Sequence, residues 1–283
     1  MIIKKLSQCT LDEVLTAWND GFEGYLVPIK LNLDVFLARL VGEGLSPDQS
    51  IVVFDENKPV GILLNGFRTI DGEKIAWNGG TGVATDYRGK GVSRTLMDET
   101  LAIYEQENVE IATLEVIKEN ERAIKLYEKY GYEISDRLLF ISGDYKPVIN
   151  DTRTIKSELI RPEQLPSYSF YKDDVPWQCG WQSAKQGEAR VFYNENDEAI
   201  GYAIYRRVWN EGKLERVVFY QLQLLEKGSA EDIPEIIGSI TKEQVNITTI
   251  NLSASNPVAD YFIEQGLKVT TEQYQLKKRM NNK

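Results

Sequence analysis

Between Thr81 and Leu96 the chain reads Thr81-Gly-Val-Ala-Thr-Asp-Tyr-Arg88-Gly-Lys-Gly91-Val-Ser93-Arg-Thr-Leu96. This is the close of a β-strand, a glycine-rich turn, and a helix starting near Gly91. Such a helix leaves its first N–H groups without intrahelical partners, and its dipole adds about half a positive charge at the same end. Gly89 and Gly91 remove the Cβ atoms that would hold an anion off the main chain, while Arg88 and Lys90 bring full charges beside it. The stretch commits the chain to a sheet carrying helices and suits a pyrophosphate. Glycine turns before helices are common, so the surrounding sequence has to decide what this one serves.

Before the turn, Met1 to Leu6 reads as a strand, and Leu11 to Asp20 and Leu33 to Val41 as helices, the second with Phe36, Leu37 and Leu40 on one face. Gly21 to Pro28 mixes glycine with aromatics, which suits a loop lining a pocket or a turn pinned by buried rings. Ser50 to Asp55 and Pro59 to Phe67 form a hairpin pair, followed by a strand from Lys74 to Ala84. Gly79, Gly80 and Gly82 weaken that strand unless a bulge or a close ligand requires them. After the turn come a helix to Gln106, a buried strand Ile111 to Ile117, a helix Asn120 to Tyr130 stopped by Gly131, and a strand Tyr132 to Ile141. The order predicts an α/β (α+β) fold: a mixed, mostly antiparallel sheet flanked by helices.

With 283 residues the chain is long enough for two domains, and 42% hydrophobic and 27% charged residues mark an ordinary globular composition. Gly143 to Asp151 reads as the linker, giving domains 1–145 and 152–283. No apolar run approaches a membrane span, and Met1-Ile-Ile-Lys-Lys lacks the apolar core of a signal peptide, so a cytoplasmic location is expected. A net charge of −10 argues against nucleic acid. The chain contains no histidine, which removes the usual general base and the usual metal ligand. Cys9 and Cys179 have no ligand spacing, so no metal is expected.

Beyond the linker the pattern returns. Val52-Val-Phe-Asp-Glu-Asn-Lys-Pro-Val-Gly61 resembles Val191-Phe-Tyr-Asn-Glu-Asn-Asp-Glu-Ala-Ile-Gly201, and Ala123 to Gly131 resembles Val258 to Gly266. The interval from Gly201 to Gly266 is shorter than that from Gly61 to Gly131. The loss falls where the Arg-Gly-Lys-Gly turn belongs, now the acidic Glu226 to Asp232. Counted back from the shared glycine, Ser255 takes the place of Asn120 and Phe262 that of Tyr127. The second copy is expected to keep the fold and lack the pyrophosphate loop.

Two motifs, Arg88-Gly-Lys-Gly91-Val-Ser93 and Asn120-x-x-Ala123-x-x-Leu126-Tyr127-x-x-x-Gly131-Tyr132, resemble those of the GCN5-related N-acetyltransferase (GNAT) superfamily. The resemblance is to a tandem member with a degenerate second domain. Ser93 stands where the superfamily has Gly or Ala. The resemblance implies acetyl-CoA as acyl donor, held by Val83, Ala84, Arg88, Gly89, Lys90, Gly91, Val92, Ser93, Asn120 and Tyr127. It also implies a strand that splays near Gly82, Val83 and Ala84, so that its backbone pairs with the pantetheine arm and can hold the thioester oxygen. Tyr127 would lie near the sulfur and protonate the departing thiolate.

The acceptor side is set by neither motif. An alkylamine has a pKa of about 10.4 and must lose a proton before attack. Glu23 and Glu115 are the candidate bases. The expected activity is direct acetyl transfer to a primary amine of a small molecule or peptide, and the acidic balance leans toward a cationic one. A homodimer is compatible with the sequence. A non-catalytic acyl-CoA sensor and a structural interaction protein are the alternatives.

Overall fold

Short local signals start and stop the elements of the first half. β1 (Ile2–Lys5) leads to α1 (Leu11–Gly21), where Thr10 caps the helix by accepting from the Glu13 N–H at 3.2 Å and Glu13 returns the bond at 2.7 Å. Asn32 caps α2 (Leu33–Gly42). β2 (Ile51–Asp55) and β3 (Lys58–Ile70) turn at Glu56, which takes a φ of 54°. β4 (Glu73–Val83) runs antiparallel to β3, α3 (Val92–Gln106) crosses over, and β5 (Ile111–Ile117) returns parallel to β4. α4 (Glu121–Lys129) ends at Gly131, whose φ of 81° only glycine adopts readily. β6 (Glu133–Tyr145) follows.

The second half comprises β7 (Lys156–Ile160), β8 (Glu188–Tyr193), β9 (Ala199–Asn210), β10 (Lys213–Leu224), α5 (Ile233–Ile240), β11 (Val245–Thr249), β12 (Leu252–Ser253), α6 (Pro257–Glu264) and β13 (Lys268–Arg279). This computed structural model describes residues 1–27, 29–147 and 155–280.

The chain divides into one unit of Met1–Ser135 with Tyr274–Lys283, and a second of Asp136–Gln273. These bounds differ from the 1–145 and 152–283 read from sequence, for two reasons. β6 continues through Gly143, Asp144 and Tyr145, which pair with Ile247, Asn246 and Val245 instead of opening the linker. Residues 148–151 of that expected linker lie outside the described residues. The end of β13 also belongs to the first unit, where it lies beside β5 in the order β1-β2-β3-β4-β5-β13. There Leu276 is fully buried in one core with Val92 and Leu96 of α3 and Tyr127 of α4, and the Met280 N–H donates to the Glu110 carbonyl at 2.8 Å. α1 and α2 serve the opposite face through Val14, Trp18 and Phe36.

The second unit, ordered β6-β11-β10-β9-β8-β7, repeats the first down to its irregularities. The β3–β4 ladder shifts register between Leu64 and Asn65, and the β9–β10 ladder shifts between Phe219 and Gln221. Parallel pairing ends at Asn78 with Leu114 in one unit and at Phe219 with Thr249 in the other. The Ala84 N–H donates to Val60 at 2.9 Å, and the Leu225 N–H donates to Ile200 at 2.9 Å. Shared bulges and bonds of this kind mark two copies of one fold.

Candidate active site

The site begins where β4 and β5 part. They pair from Ile75 and Ile111 to Asn78 and Leu114, then run on to Val83 and Ile117 unpaired with each other. Gly79 is the extra residue of the bulge, since Gly80 faces Leu64 and Asn78 faces Asn65. In an unbroken strand residues 78 and 81 would point to opposite faces. The bulge turns them to one face, where the Asn78 amide donates to the Thr81 hydroxyl at 2.9 Å.

The same ladder decides which backbone groups meet the opening. The Ala84 N–H is spent on Val60 and its carbonyl accepts from the Tyr87 N–H at 2.8 Å, the Gly80 N–H donates to the Asn78 side chain at 3.1 Å, and alternation leaves the groups of Thr81 and Val83 facing the splay. This corrects the sequence reading for Ala84. Val83 and Thr81 are thus the residues whose backbone faces the opening.

At the turn, Gly89 and Gly91 take φ of 81° and 93°, and a Cβ on Gly91 would meet nothing within 4 Å. Gly91 is the N-cap of α3, and no side chain caps that end. The Arg94 and Thr95 N–H groups both bond the Gly91 carbonyl, which leaves Val92 and Ser93 to present the leading N–H groups. An open glycine cradle at an uncapped helix start fits a pyrophosphate. The Val92 side chain is buried in the core, so only its backbone can serve the anion. Lys90 is exposed, with its ammonium 5.3 Å from the Tyr87 ring.

Arg88 departs from the expectation. Its Nε donates to the Val83 carbonyl at 2.9 Å, and its Nη2 donates to those of Gly21 at 3.2 Å and Glu23 at 2.7 Å. The guanidinium is committed to backbone carbonyls because the α1–α2 connection passes directly over the end of β4.

Tyr127 is buried, and burial pushes its hydroxyl up to about 12, against the pull of hydrogen bonds with Thr81 and Asn78. Asn120 caps α4 by accepting from the Ala123 N–H at 3.2 Å, and its amide reaches the Tyr25 hydroxyl at 3.5 Å. These groups border one cavity of about 760 Å³. The α1–α2 connection supplies Phe22, Tyr25 and Leu26 to its wall.

Neither predicted carboxylate lines it. Glu23 is exposed and offers its carbonyl to Arg88, while the Glu115 carboxylate accepts from the Trp77 indole at 2.6 Å. Alternation puts Glu115 and Trp77 on the face opposite Leu114 and Asn78. Glu119 is the carboxylate that does line the cavity, against cations at Arg94, Arg122, Lys125 and Lys129. The acidic balance of the chain therefore does not extend to this surface. Sequence reading missed the cations although Arg122, Lys125 and Lys129 recur at spacings that share one helix face. Among the described residues no group of three or more His, Cys, Asp or Glu gathers to hold a metal, and no helix is long and apolar enough to cross a membrane.

In the second unit the corresponding places are filled from within. Three residues past Phe219, as Thr81 is past Asn78, the Leu222 carbonyl accepts from the Asn256 amide at 3.1 Å. Asn256, not Ser255, is the N-cap of α6, because that helix is one residue shorter than α4. Just before α5, the Asp232 carboxylate accepts from the Ser229 N–H at 2.8 Å.

Residues 12–132 match the model of the Acetyltransferase (GNAT) family. No curated protein sequence matches the chain significantly. A GCN5-related N-acetyltransferase from Sphaerobacter thermophilus superposes with a TM-score of 0.66 at 11% identity, over 98% of this chain and 95% of that one. A putative acetyltransferase from Pyrococcus horikoshii gives 0.61 at 16% identity, over 99% and 89%. A tandem GNAT protein from the clavulanic acid biosynthesis pathway gives 0.59 at 11% identity, over 95% and 94%. At these identities the likeness is one of fold.

Proposed function

We propose that this chain, whose residues 12–132 match the GNAT acetyltransferase family, transfers acetyl from acetyl-CoA directly to a primary amine, using one donor site per chain. The observation that carries the reading is the convergence of the uncapped Gly91 helix start, the splayed Thr81 and Val83 backbone, and the Tyr127 hydroxyl on one cavity.

The family's donor, acetyl-CoA, supplies an activated thioester. Val92 and Ser93 offer N–H groups to its pyrophosphate, and Arg94, Arg122, Lys125 and Lys129 add positive charge around it. Thr81 presents its backbone groups to the arm and Val83 its N–H, because the Val83 carbonyl is held by Arg88, and an N–H among them would face the thioester oxygen as it gains charge, worth about 3 to 4 kcal/mol. Tyr127 holds its proton throughout the neutral range because burial disfavours the phenolate. That proton is available to a departing thiolate of pKa about 8.5.

On the acceptor side, Phe22, Tyr25 and Leu26 offer aromatic and apolar surface, so the reading favours an amine carried on such a body over a polycation. Glu23 and Glu115 stay outside the cavity, so the ammonium proton passes to water or to Glu119, the carboxylate that lines it.

Thermal unfolding with acetyl-CoA and with CoA, followed by thiol release across an amine panel, tests the reading. Stabilisation with thiol release supports it. Stabilisation without thiol release marks a non-catalytic acyl-CoA binding module, and no stabilisation at high acetyl-CoA overturns both.

A further inference from the structure

Arg88 lies inside the glycine turn and borders the cavity, and its guanidinium is bonded to three backbone carbonyls. We infer that Arg88 is a positioning residue, a clasp that fixes the α1–α2 connection as the acceptor wall of the cavity.

Its bonds reach two separate parts of the chain. One goes to Val83, at the end of β4, and two go to Gly21 and Glu23, where α1 ends. The terminal carbonyls of a helix carry partial negative charge, and α1 has no basic residue in its own last turn. Arg88 supplies that missing cation from a distant part of the sequence. A planar fork spreads its donors over separate nitrogens and so reaches carbonyls on two segments, a span that the compact ammonium of a lysine lacks.

The neighbouring contacts are independent of Arg88 and converge on the same connection. A Cβ on Gly82 would lie 3.0 Å from the Phe22 ring, and one on Gly80 would lie 2.9 Å from Trp18. Tyr25 meets Phe22 edge-on, with centroids 5.4 Å apart, and takes a bond from Asn120. The side-chain-free strand is thus the bed on which Phe22 lies, and Phe22 and Tyr25 face the cavity from there. Arg88 holds this arrangement at its root. The residue next to the anion turn therefore governs where the acceptor rests, and the donor phosphates are left to the backbone and to other cations.

The kinetic part of the test rests on the acetyltransferase reading, whereas the exchange part stands without it. In Arg88→Met, and in Arg88→Lys should the first fold poorly, amide hydrogen exchange over residues 21–27 of the free protein is expected to quicken about tenfold or more. Acetyl-CoA affinity is expected to stay within about threefold, with acceptor KM raised about tenfold or more and kcat changed less. A loosened connection without turnover in either protein supports the clasp while removing the acetyltransferase reading. Unchanged exchange over 21–27 together with a large loss of acetyl-CoA affinity overturns the clasp and makes Arg88 a phosphate ligand.

Discussion

Gly21 and Gly82 meet main chain to main chain: a Cβ placed on Gly21 would lie 3.0 Å from both the Cα and the carbonyl carbon of Gly82. Backbone cannot swing aside as a side-chain tip can. Gly21→Ala must push the end of α1 off the strand or bend β4 where it splays. We expect a loss of about 1 to 3 kcal/mol, read as a lower urea midpoint, together with a raised acceptor KM. An unchanged midpoint would show that the two segments do not approach this closely in solution.

Gly91→Glu tests the anion cradle. A φ of 93° is strained for any other residue, and a carboxylate there meets the helix start that the phosphates need. Acetyl-CoA at a hundredfold its Kd stabilises the native chain by about 2.7 kcal/mol, and this gain is expected to vanish in the variant. Gly91→Ala, whose Cβ enters open space, is expected to keep part of it. A full shift in Gly91→Glu would move the donor site elsewhere.

Tyr127→Phe separates binding from chemistry. The ring remains in the core, so acetyl-CoA should bind almost as before, while turnover falls about 10²-fold or more if the hydroxyl protonates the thiolate. The pH dependence has a definite sign. A folded value of about 12 lies above the ordinary 10, so the associated stability is complete below about pH 10 and is lost as pH rises through 12. Urea midpoints measured across that window should fall more steeply for the native chain than for Tyr127→Phe. Equal slopes would mean the hydroxyl is not buried as described, and equal turnover would remove it from the mechanism.

The backbone parts of this site were legible because glycine, helix caps and motif spacing act over a few residues. The turn at Gly89 to Gly91, the Asn120 cap and the stop at Gly131 all follow from local sequence. The glycines of β4 signalled a bulge, but not that the bulge would carry Asn78 and Thr81 to the same face beneath Tyr127. The three carbonyl bonds of Arg88 left no local mark, because two of those carbonyls, of Gly21 and Glu23, stand at the end of a helix more than sixty residues earlier. Ala84 was misread because strand alternation needs a register, which only the bond to Val60 supplies. The return of the last strand to the first unit leaves no local mark at all.

That return makes the first unit depend on the end of the chain. Leu276 is fully buried there, so Leu276→Ala is expected to cost about 2 to 5 kcal/mol. Ending the chain after Gln273 removes the strand beside β5 and should abolish the acetyl-CoA thermal shift. Residues 1–145 made alone should fail in the same way, and adding a peptide of residues 268–283 should restore part of the shift. A truncated chain that binds acetyl-CoA normally would show that β13 is dispensable to the site.

In the second unit β10 also runs past its parallel pairing with β11, but Asn256 uses that edge internally, with its amide on the Leu222 carbonyl and on Gln223 at 3.2 Å while its own oxygen caps α6. Asn256→Ala removes a cap and leaves a buried carbonyl without that donor, a cost of about 1 to 3 kcal/mol. It should lower the thermal midpoint without altering acetyl-CoA affinity. Changes across Glu226 to Asp232 should leave affinity equally untouched, since this acidic turn holds a single glycine and its Asp232 carboxylate already accepts from the Ser229 N–H. Calorimetric titration of the native chain should return one acetyl-CoA per chain. A value of two would mean the second copy opens that edge, and Asn256→Ala would then be the variant in which the second affinity changes.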